Sequence, residues 1–251
     1  MKSEYFEPKR PRVLAHRGLA IEAPENTMLA FEKAVGIGCH YIETDVHVSL
    51  DGVAVVAHDP SLARVAQRDV PVGALTIAEL RRVDLGHGQG FCSLEEALDA
   101  FPDTRFNIDV KIEGAVEPAV AAVSHAGAAA RVLLTSFSDR RRLRLAMLLP
   151  GVATSAGSAG VIRARLAGFT GSAKLLTGVL RGARALQIPE RAGPLRLVTP
   201  AFVAAVHRVG AEVHVWTVNE ASDMRRLLHL GVDGLVTDRA DVALSLTAER
   251  S

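Results

Sequence analysis

The chain alternates short apolar runs with longer stretches whose apolar residues recur at helical spacing. The short runs are Arg12–His16, His40–Val48, Val53–His58, Arg105–Ile112, Arg131–Phe137, Val152–Ala156, Ala185–Ile188, Glu212–Val218 and Gly234–Thr237. Most are rich in Val, Ile and Leu without polar alternation, which suits strands buried on both faces of a parallel sheet. The longer stretches predict helices over Thr27–Val35, Leu94–Phe101, Glu117–His125, Asp139–Leu149, Ala159–Leu180, Pro200–Val209, Ala221–Leu230 and Ala240–Ala248. Gly36, Gly127, Gly210 and Gly231 stand where helices should stop. Thr199-Pro200 and Asn219-Glu220 read as helix starts, with a capping side chain and, at Pro200, a preset first turn.

Strand–helix units in this number predict an α/β fold, a closed (β/α)8 TIM barrel, formed by residues 1–251 as one domain. One strand is additional. Val53–His58 follows Ser49-Leu50-Asp51-Gly52, and Asp-Gly between apolar runs is a hairpin signal. An antiparallel return therefore replaces the helix after the second strand. Residues 59–93 then form a short insertion, loop-rich at 67–73 and 86–90, with a short helix over Ile77–Arg82. It falls where a barrel carries active-site insertions.

Composition narrows the function classes. At 49% hydrophobic and 23% charged residues, the chain has enough apolar content for a sizeable core, which excludes a disordered protein. A formal charge of +1 provides no net field to hold nucleic acid or an anionic membrane, so no nucleic-acid partner is expected. No window has the apolar length of a membrane span, so no integral membrane association is expected either. The segment Met1–Arg10 is polar and lacks an apolar signal region, which gives a cytoplasmic location as the expectation. Cys39 and Cys92 are too few for a disulfide framework and are expected as buried, reduced thiols.

In such a barrel, chemistry gathers at the C-terminal ends of the strands. There the sequence places Ala15-His16-Arg17-Gly18, Glu43-Thr44-Asp45, Ala57-His58-Asp59-Pro60 and Asp109-Val110-Lys111. Glu43 and Asp45 are two apart and point to one side of their strand, as do Asp109 and Lys111 on theirs. Carboxylates at 43, 45 and 109 in one barrel mouth repel and call for a cation. An all-oxygen set favours Mg²⁺ or Ca²⁺. The plainer alternative is an ion-pair cluster with Lys111 and Arg17. Should Asp109 not serve, Glu113 has the same parity. His16 and His58 flank the cluster and can act as a general base and a general acid near neutral pH. His47 shares the parity of Glu43 and Asp45 and is expected nearby. Glu25 is expected to orient His16 or Arg17, and Asn26 to cap the following helix. Trp216, on one face with His214, is expected as a substrate-pocket wall. Arg140-Arg141-Arg142-Leu143-Arg144 reads as a solvated helix face, the alternative being contact with a membrane surface.

His16-Arg17-Gly18, Pro24-Glu25-Asn26-Thr27, Glu43-x-Asp45 and His58-Asp59, in this order and spacing, resemble the glycerophosphodiester phosphodiesterase family. The resemblance continues through Asn107-Ile108-Asp109-Val110-Lys111, Ser136-Phe137, Val215-Trp216-Thr217-Val218-Asn219 and Gly231-Val232-Asp233-Gly234-Leu235-Val236-Thr237-Asp238. It implies a TIM barrel that hydrolyses a small-molecule phosphodiester to glycerol 3-phosphate and an alcohol with a divalent metal. It implies His16 as base, His58 as acid, and Glu43 and Asp45 as metal ligands, with Arg17 and Lys111 on the substrate. The family's third carboxylate is usually Glu in Glu-x-Lys; here it is Asp109, shorter by one methylene. The alternatives are a phospholipase D-like enzyme acting on lysophospholipids or sphingolipids, and an inactive barrel used for binding. Every histidine, acidic and basic position of the motif is filled, which argues against the last.

Overall fold

A computed structural model describes residues 3–248. The remaining positions of the expected domain, 1, 2 and 249–251, lie outside the described residues. The first half of the chain runs β1 (Arg12–His16), α1 (Met28–Gly36), β2 (Tyr41–Val48), β3 (Ala54–Val56), α2 (Ala63–Ala66), α3 (Ile77–Leu80), α4 (Leu94–Ala100), β4 (Arg105–Val110) and α5 (Val116–His125). It continues through β5 (Val132–Thr135), α6 (Asp139–Leu148), β6 (Ala153–Ala156), α7 (Ser158–Phe169), α8 (Ala173–Leu180) and β7 (Ala185–Pro189). A small hairpin, β8 (Arg191–Ala192) and β9 (Leu195–Arg196), precedes α9 (Pro200–Arg208), β10 (Glu212–Trp216), α10 (Ala221–His229), β11 (Gly234–Thr237) and α11 (Ala240–Ala248).

The parallel strands neighbour one another in the order β1-β11-β10-β7-β6-β5-β4-β2, and β1 pairs with β2 to close the barrel. β3 runs antiparallel along the C-terminal end of β2, with Val46 opposite Val56. The apolar strand faces turned outward meet the helices in one continuous core that includes Phe31, Phe106, Val132, Leu186 and Leu235. Inside, Leu14, Tyr41, Leu133, Ala153, Ala185 and Val236 form a second cluster. The insertion has its own small core, in which Val55, Leu62, Leu80 and Phe91 are buried.

Several expectations are corrected in detail. The strand expected at Val53–His58 contracts to β3, so His58 stands two residues beyond it. The helix expected over Ala159–Leu180 divides into α7 and α8. Ser172 accepts a bond from Leu175 N as the cap of α8, and Gly171 adopts φ +70 in the break. Apolar residues keep helical spacing across the break, so periodicity does not reveal it. The β8–β9 hairpin was not expected. Cys39 and Cys92 are buried and unpaired.

The N-terminal end of the barrel is plugged by the preceding segment. Tyr5 is fully buried, edge-on to Tyr41 at 5.2 Å, and its carbonyl accepts the Tyr41 hydroxyl at 2.8 Å. Beside it lies Arg12, only 2% exposed. Its guanidinium donates to both Glu212 oxygens (2.9 and 2.7 Å), to the Pro8 and Phe6 carbonyls and to the Tyr41 hydroxyl. Pairing and full hydrogen bonding offset the cost of burying the Arg12 charge. Burial alone would push the Glu212 carboxyl up, but hydrogen bonds from His214 and Arg12 hold it down at about 2.

Two outcomes follow for stability. Arg12→Met leaves Glu212 with His214 alone and two carbonyls without their donor, and urea unfolding should show a loss of about 3–5 kcal/mol. Because folding depresses the Glu212 pKa, its contribution is complete above the unfolded value of about 4.3. It disappears as pH falls from there toward 2. The wild-type urea midpoint should therefore fall across that window, and the fall should be shallower in Arg12→Met.

Candidate active site

Strand register brings the candidate residues together at the C-terminal mouth. His16 lies opposite Glu43, Glu43 opposite Asn107, Asp45 opposite Asp109, and Asp109 opposite Thr135. Neighbouring strands at equal height thus present a continuous polar floor. The cleft above it holds about 430 Å³ and is lined by His16, Arg17, Glu43, Asp45, His58 and Asn107, among others. Asp109, Lys111 and Trp216 line it as well. Its outer wall is apolar, formed by Phe137, Val161, Ile162, Ile188 and Pro189.

The turn after β1 explains why glycine follows the first His-Arg pair. Arg17 takes φ 58 and Gly18 takes φ +83. A Cβ on Gly18 would come within 2.7 Å of the Ala30 backbone in α1. Only glycine lets the helix pack so close to the turn. The turn aims the Arg17 N–H at the Glu43 carbonyl (2.9 Å) and carboxylate (3.2 Å).

Asp45, 2% exposed, is the centre of the floor. Lys111 Nζ stands 2.6 Å from its Oδ1, and Arg17 Nε stands 3.3 Å from its Oδ2. Asn26 Nδ2 donates to Oδ2 at 3.1 Å. Lys111 also reaches Asp109 Oδ2 at 2.7 Å. The ion-pair alternative raised by the sequence is therefore present in the structure, with Lys111 bridging two carboxylates. It does not balance the charge. Burial and then the Asp45 charge push the Glu43 carboxyl up to about 8. Burial also raises Asp109, although Lys111 opposes it. Burial would lower Lys111, but Asp45 and Asp109 outweigh it and raise it. Asp109 Oδ1 and Asn107 Oδ1 are buried without a hydrogen-bond partner among the described residues.

The histidines are held alike from separate elements. His16 Nδ1 is 2.6 Å from Asp238 Oδ1, and His58 Nδ1 is 2.7 Å from Asp59 Oδ1. A carboxylate accepts, so each Nδ1 carries the proton and each Nε2 is left for other partners. His16 Nε2 lies 3.9 Å from Glu43 Oε2. Burial alone would lower the His16 imidazole, but the bond to Asp238 outweighs it and raises it. Each carboxylate is itself fixed: Asp238 Oδ2 by Asn219 at 2.7 Å, Asp59 Oδ2 by Arg64 at 2.6 Å.

Other expectations are adjusted here. Glu25 touches Arg17 at 2.9 Å and not His16, and it also receives two bonds from Arg64. Asn26 does not cap α1; Thr27 does, and Asn26 turns inward at φ 55 to Asp45 and the Thr44 hydroxyl. Asn219 does not cap α10, because its side chain is committed to Thr237 and Asp238. Glu113 lies past the end of β4 in a 3₁₀ turn and pairs with Arg144, away from the floor. His47 Nε2 meets the His58 carbonyl at 3.1 Å, so it supports the His58 loop. Trp216 packs edge-on against Phe137 at 5.9 Å on the cleft wall. Sequence reasoning gave no role to Asp238, Arg64, Asn107 or Phe137. Asp238 directly follows β11, so the strand-end rule could have found it. Arg64 lies in the irregular insertion, where no periodic signal exists.

The family model described as the Glycerophosphoryl diester phosphodiesterase family matches residues 16–242. A curated relative from Mycobacterium tuberculosis, "Probable glycerophosphodiester phosphodiesterase 2", is 42% identical over 231 residues, 91% of this chain and 88% of its own. A Silicibacter pomeroyi structure described as a putative glycerophosphoryl diester phosphodiesterase superposes with TM-score 0.80 at 23% identity, covering 97% of this chain and 95% of that one. An Oleispira antarctica phosphodiesterase, in complex with the product sn-glycerol-3-phosphate, superposes with TM-score 0.77 at 23% identity, covering 95% and 97%. Those structures share the fold, and the match over nearly the whole chain shows that it belongs to the glycerophosphoryl diester phosphodiesterase family.

Proposed function

We propose that the protein hydrolyses glycerophosphodiesters to glycerol 3-phosphate and an alcohol, with His16 and His58 moving the protons. The observation that carries this reading is the pair of carboxylate-held imidazoles, on separate elements, opening onto one cleft. Its support outside the site is family membership and the name of the M. tuberculosis relative.

The chemistry of the floor supports a hard divalent cation, Mg²⁺ or Ca²⁺, although among the described residues no three carboxylates are gathered into a ligand set. The floor's donors are oxygens, burial and the neighbouring Asp45 charge raise the Glu43 carboxyl, and two buried oxygens lack partners. Glu43, Asp45 and Asp109 would hold the ion, with the Asn107 amide oxygen beside them. When bound, it supplies charge to stabilise the phosphoryl oxygens.

The chain's own residues do the rest. Arg17 and Lys111 stand at the edge of the floor, where they bind the phosphodiester oxygens. Three carboxylates set against the divalent ion, Arg17 and Lys111 leave about one net positive charge, suited to a group whose negative charge grows in the transition state. Asp238 fixes the proton on His16 Nδ1, so Nε2 accepts one from the attacking hydroxyl. Asp59 does the same for His58, whose Nε2 passes its proton to the leaving alkoxide. Each transfer contributes about 10²–10⁴-fold. Arg64 links Glu25 to Asp59 and ties the positions of Arg17 and His58 together. Trp216, braced by Phe137, forms the wall against which the organic part of the substrate packs.

Incubation with glycerophosphocholine should release glycerol 3-phosphate, lose that activity with EDTA, and regain it with Mg²⁺ or Ca²⁺. Release unaffected by EDTA would remove the cation from this account. No release from any glycerophosphodiester, with the fold intact, would remove the activity. Asp109→Glu restores the usual side-chain length and should remain active. Asp109→Ala should lower cation affinity by at least about tenfold, read by titrating Mg²⁺ against turnover. Full activity and affinity in Asp109→Ala would exclude it as a ligand.

A further inference from the structure

We propose that the α7–α8 hairpin is a docking surface for an anionic phospholipid bilayer. The observation that points to it is an inverted helix. α7 turns its small residues, Gly160, Ala164 and Ala167, toward the barrel. Its large apolar residues face solvent: Ile162 is 62% exposed, Leu166 62% and Phe169 71%. They follow i, i+4, i+7 spacing and so form one stripe along about 10 Å of helix. Leu175, at the start of α8, is 48% exposed and lines a groove with Arg163 of α7. Contiguous exposed apolar surface of this kind marks an interaction site in an otherwise soluble domain.

The charge around the stripe selects the partner. From Ser158 to Arg181 the sequence has four Arg or Lys and no Asp or Glu, although the whole chain is nearly neutral at +1. Arg163, Lys174 and Arg181 rim a groove on the hairpin, floored by Leu175 and Val179 and with Ser172 at its side. Arg163 pairs with Asp139 at 3.1 Å, whereas no carboxylate pairs with Lys174 or Arg181 among the described residues. Apolar side chains flanked by unpaired cations are the chemistry of a helix lying in the headgroup layer of an anionic membrane. Nucleic acid would use the cations but leave the stripe in water, and a second copy of this chain would bring like charge to like charge.

The surface is continuous with the cleft. Ile162 belongs to both the stripe and the cleft wall, and Ser158 and Val161 of the first turn of α7 line the cleft too. Docking therefore sets one rim of the cleft at the headgroup layer, next to any amphiphilic substrate or product.

Vesicle co-sedimentation of the full chain tests this without using its catalytic activity. The protein should sediment with vesicles of phosphatidylcholine mixed with phosphatidylglycerol, and much less with phosphatidylcholine alone. Each cation near an anionic surface adds about fivefold to partitioning, so Lys174→Glu/Arg181→Glu should weaken binding at least about tenfold, as should high salt. Leu166→Ser/Phe169→Ser should also abolish sedimentation, while circular dichroism and turnover of glycerophosphocholine without vesicles stay at wild-type levels. If that apolar variant fails to fold, the lipid-charge dependence of the wild type and Lys174→Glu/Arg181→Glu decide the matter. The proposal is overturned by no preference for the anionic vesicles, or by binding that neither variant changes. It is equally overturned by a wild-type dimer in sedimentation equilibrium that Leu166→Ser/Phe169→Ser converts to monomer.

Discussion

The buried carboxylate of Asp45 is the interaction on which the rest of the site depends. It receives Lys111 from just beyond β4, Arg17 from the turn after β1 and Asn26 from the loop before α1. An ionised carboxylate at this depth is tolerable only with such partners. Each partner is thereby pinned, and so are the segments that carry them. The left-handed Arg17 and Asn26 carry two of these partners, and the Asp45 charge adds to burial in raising the Glu43 carboxyl.

The barrel divides its two ends between different tasks. At the N-terminal end, Tyr5, Tyr41 and the Arg12–Glu212 pair close the interior with every Arg12 donor group engaged. At the C-terminal end, buried oxygens on Asn107 and Asp109 remain without partners. Unpaired buried polar atoms carry a cost; the Tyr5 hydroxyl at the plug bears it as well, but the oxygens at the mouth line the cleft, where a bound cation would relieve it. Both histidines use the same device, a carboxylate on Nδ1, but draw it from opposite parts of the chain: Asp238 after the last strand and Asp59 in the insertion.

Much of this was legible from the residues. Apolar runs, most of them rich in Val, Ile and Leu, located the barrel strands, because these strands are buried on both faces. Parity placed Glu43, Asp45 and Asp109 at one mouth, since side chains two apart share a face. What escaped was information that periodicity does not carry. The break between α7 and α8 is a local turn inside an unbroken apolar rhythm. Asn26 and Asn219 resemble caps in sequence, yet tertiary partners at Asp45 and Asp238 claim their side chains. Arg64 becomes meaningful only when the insertion folds back over Glu25 and Asp59. Glu113 keeps strand parity on paper, but β4 ends before reaching it.

The central claim is that His16 and His58 take and give the proton on opposite sides of one phosphodiester. It is tested most directly by comparing His16→Ala and His58→Ala on glycerophosphocholine and on a nitrophenyl diester, whose leaving group needs no proton. The account predicts that His16→Ala loses about 10²–10⁴-fold on both substrates. His58→Ala should lose as much on glycerophosphocholine and far less on the nitrophenyl diester. Near-wild-type turnover of glycerophosphocholine by both variants, with the fold intact, would contradict it.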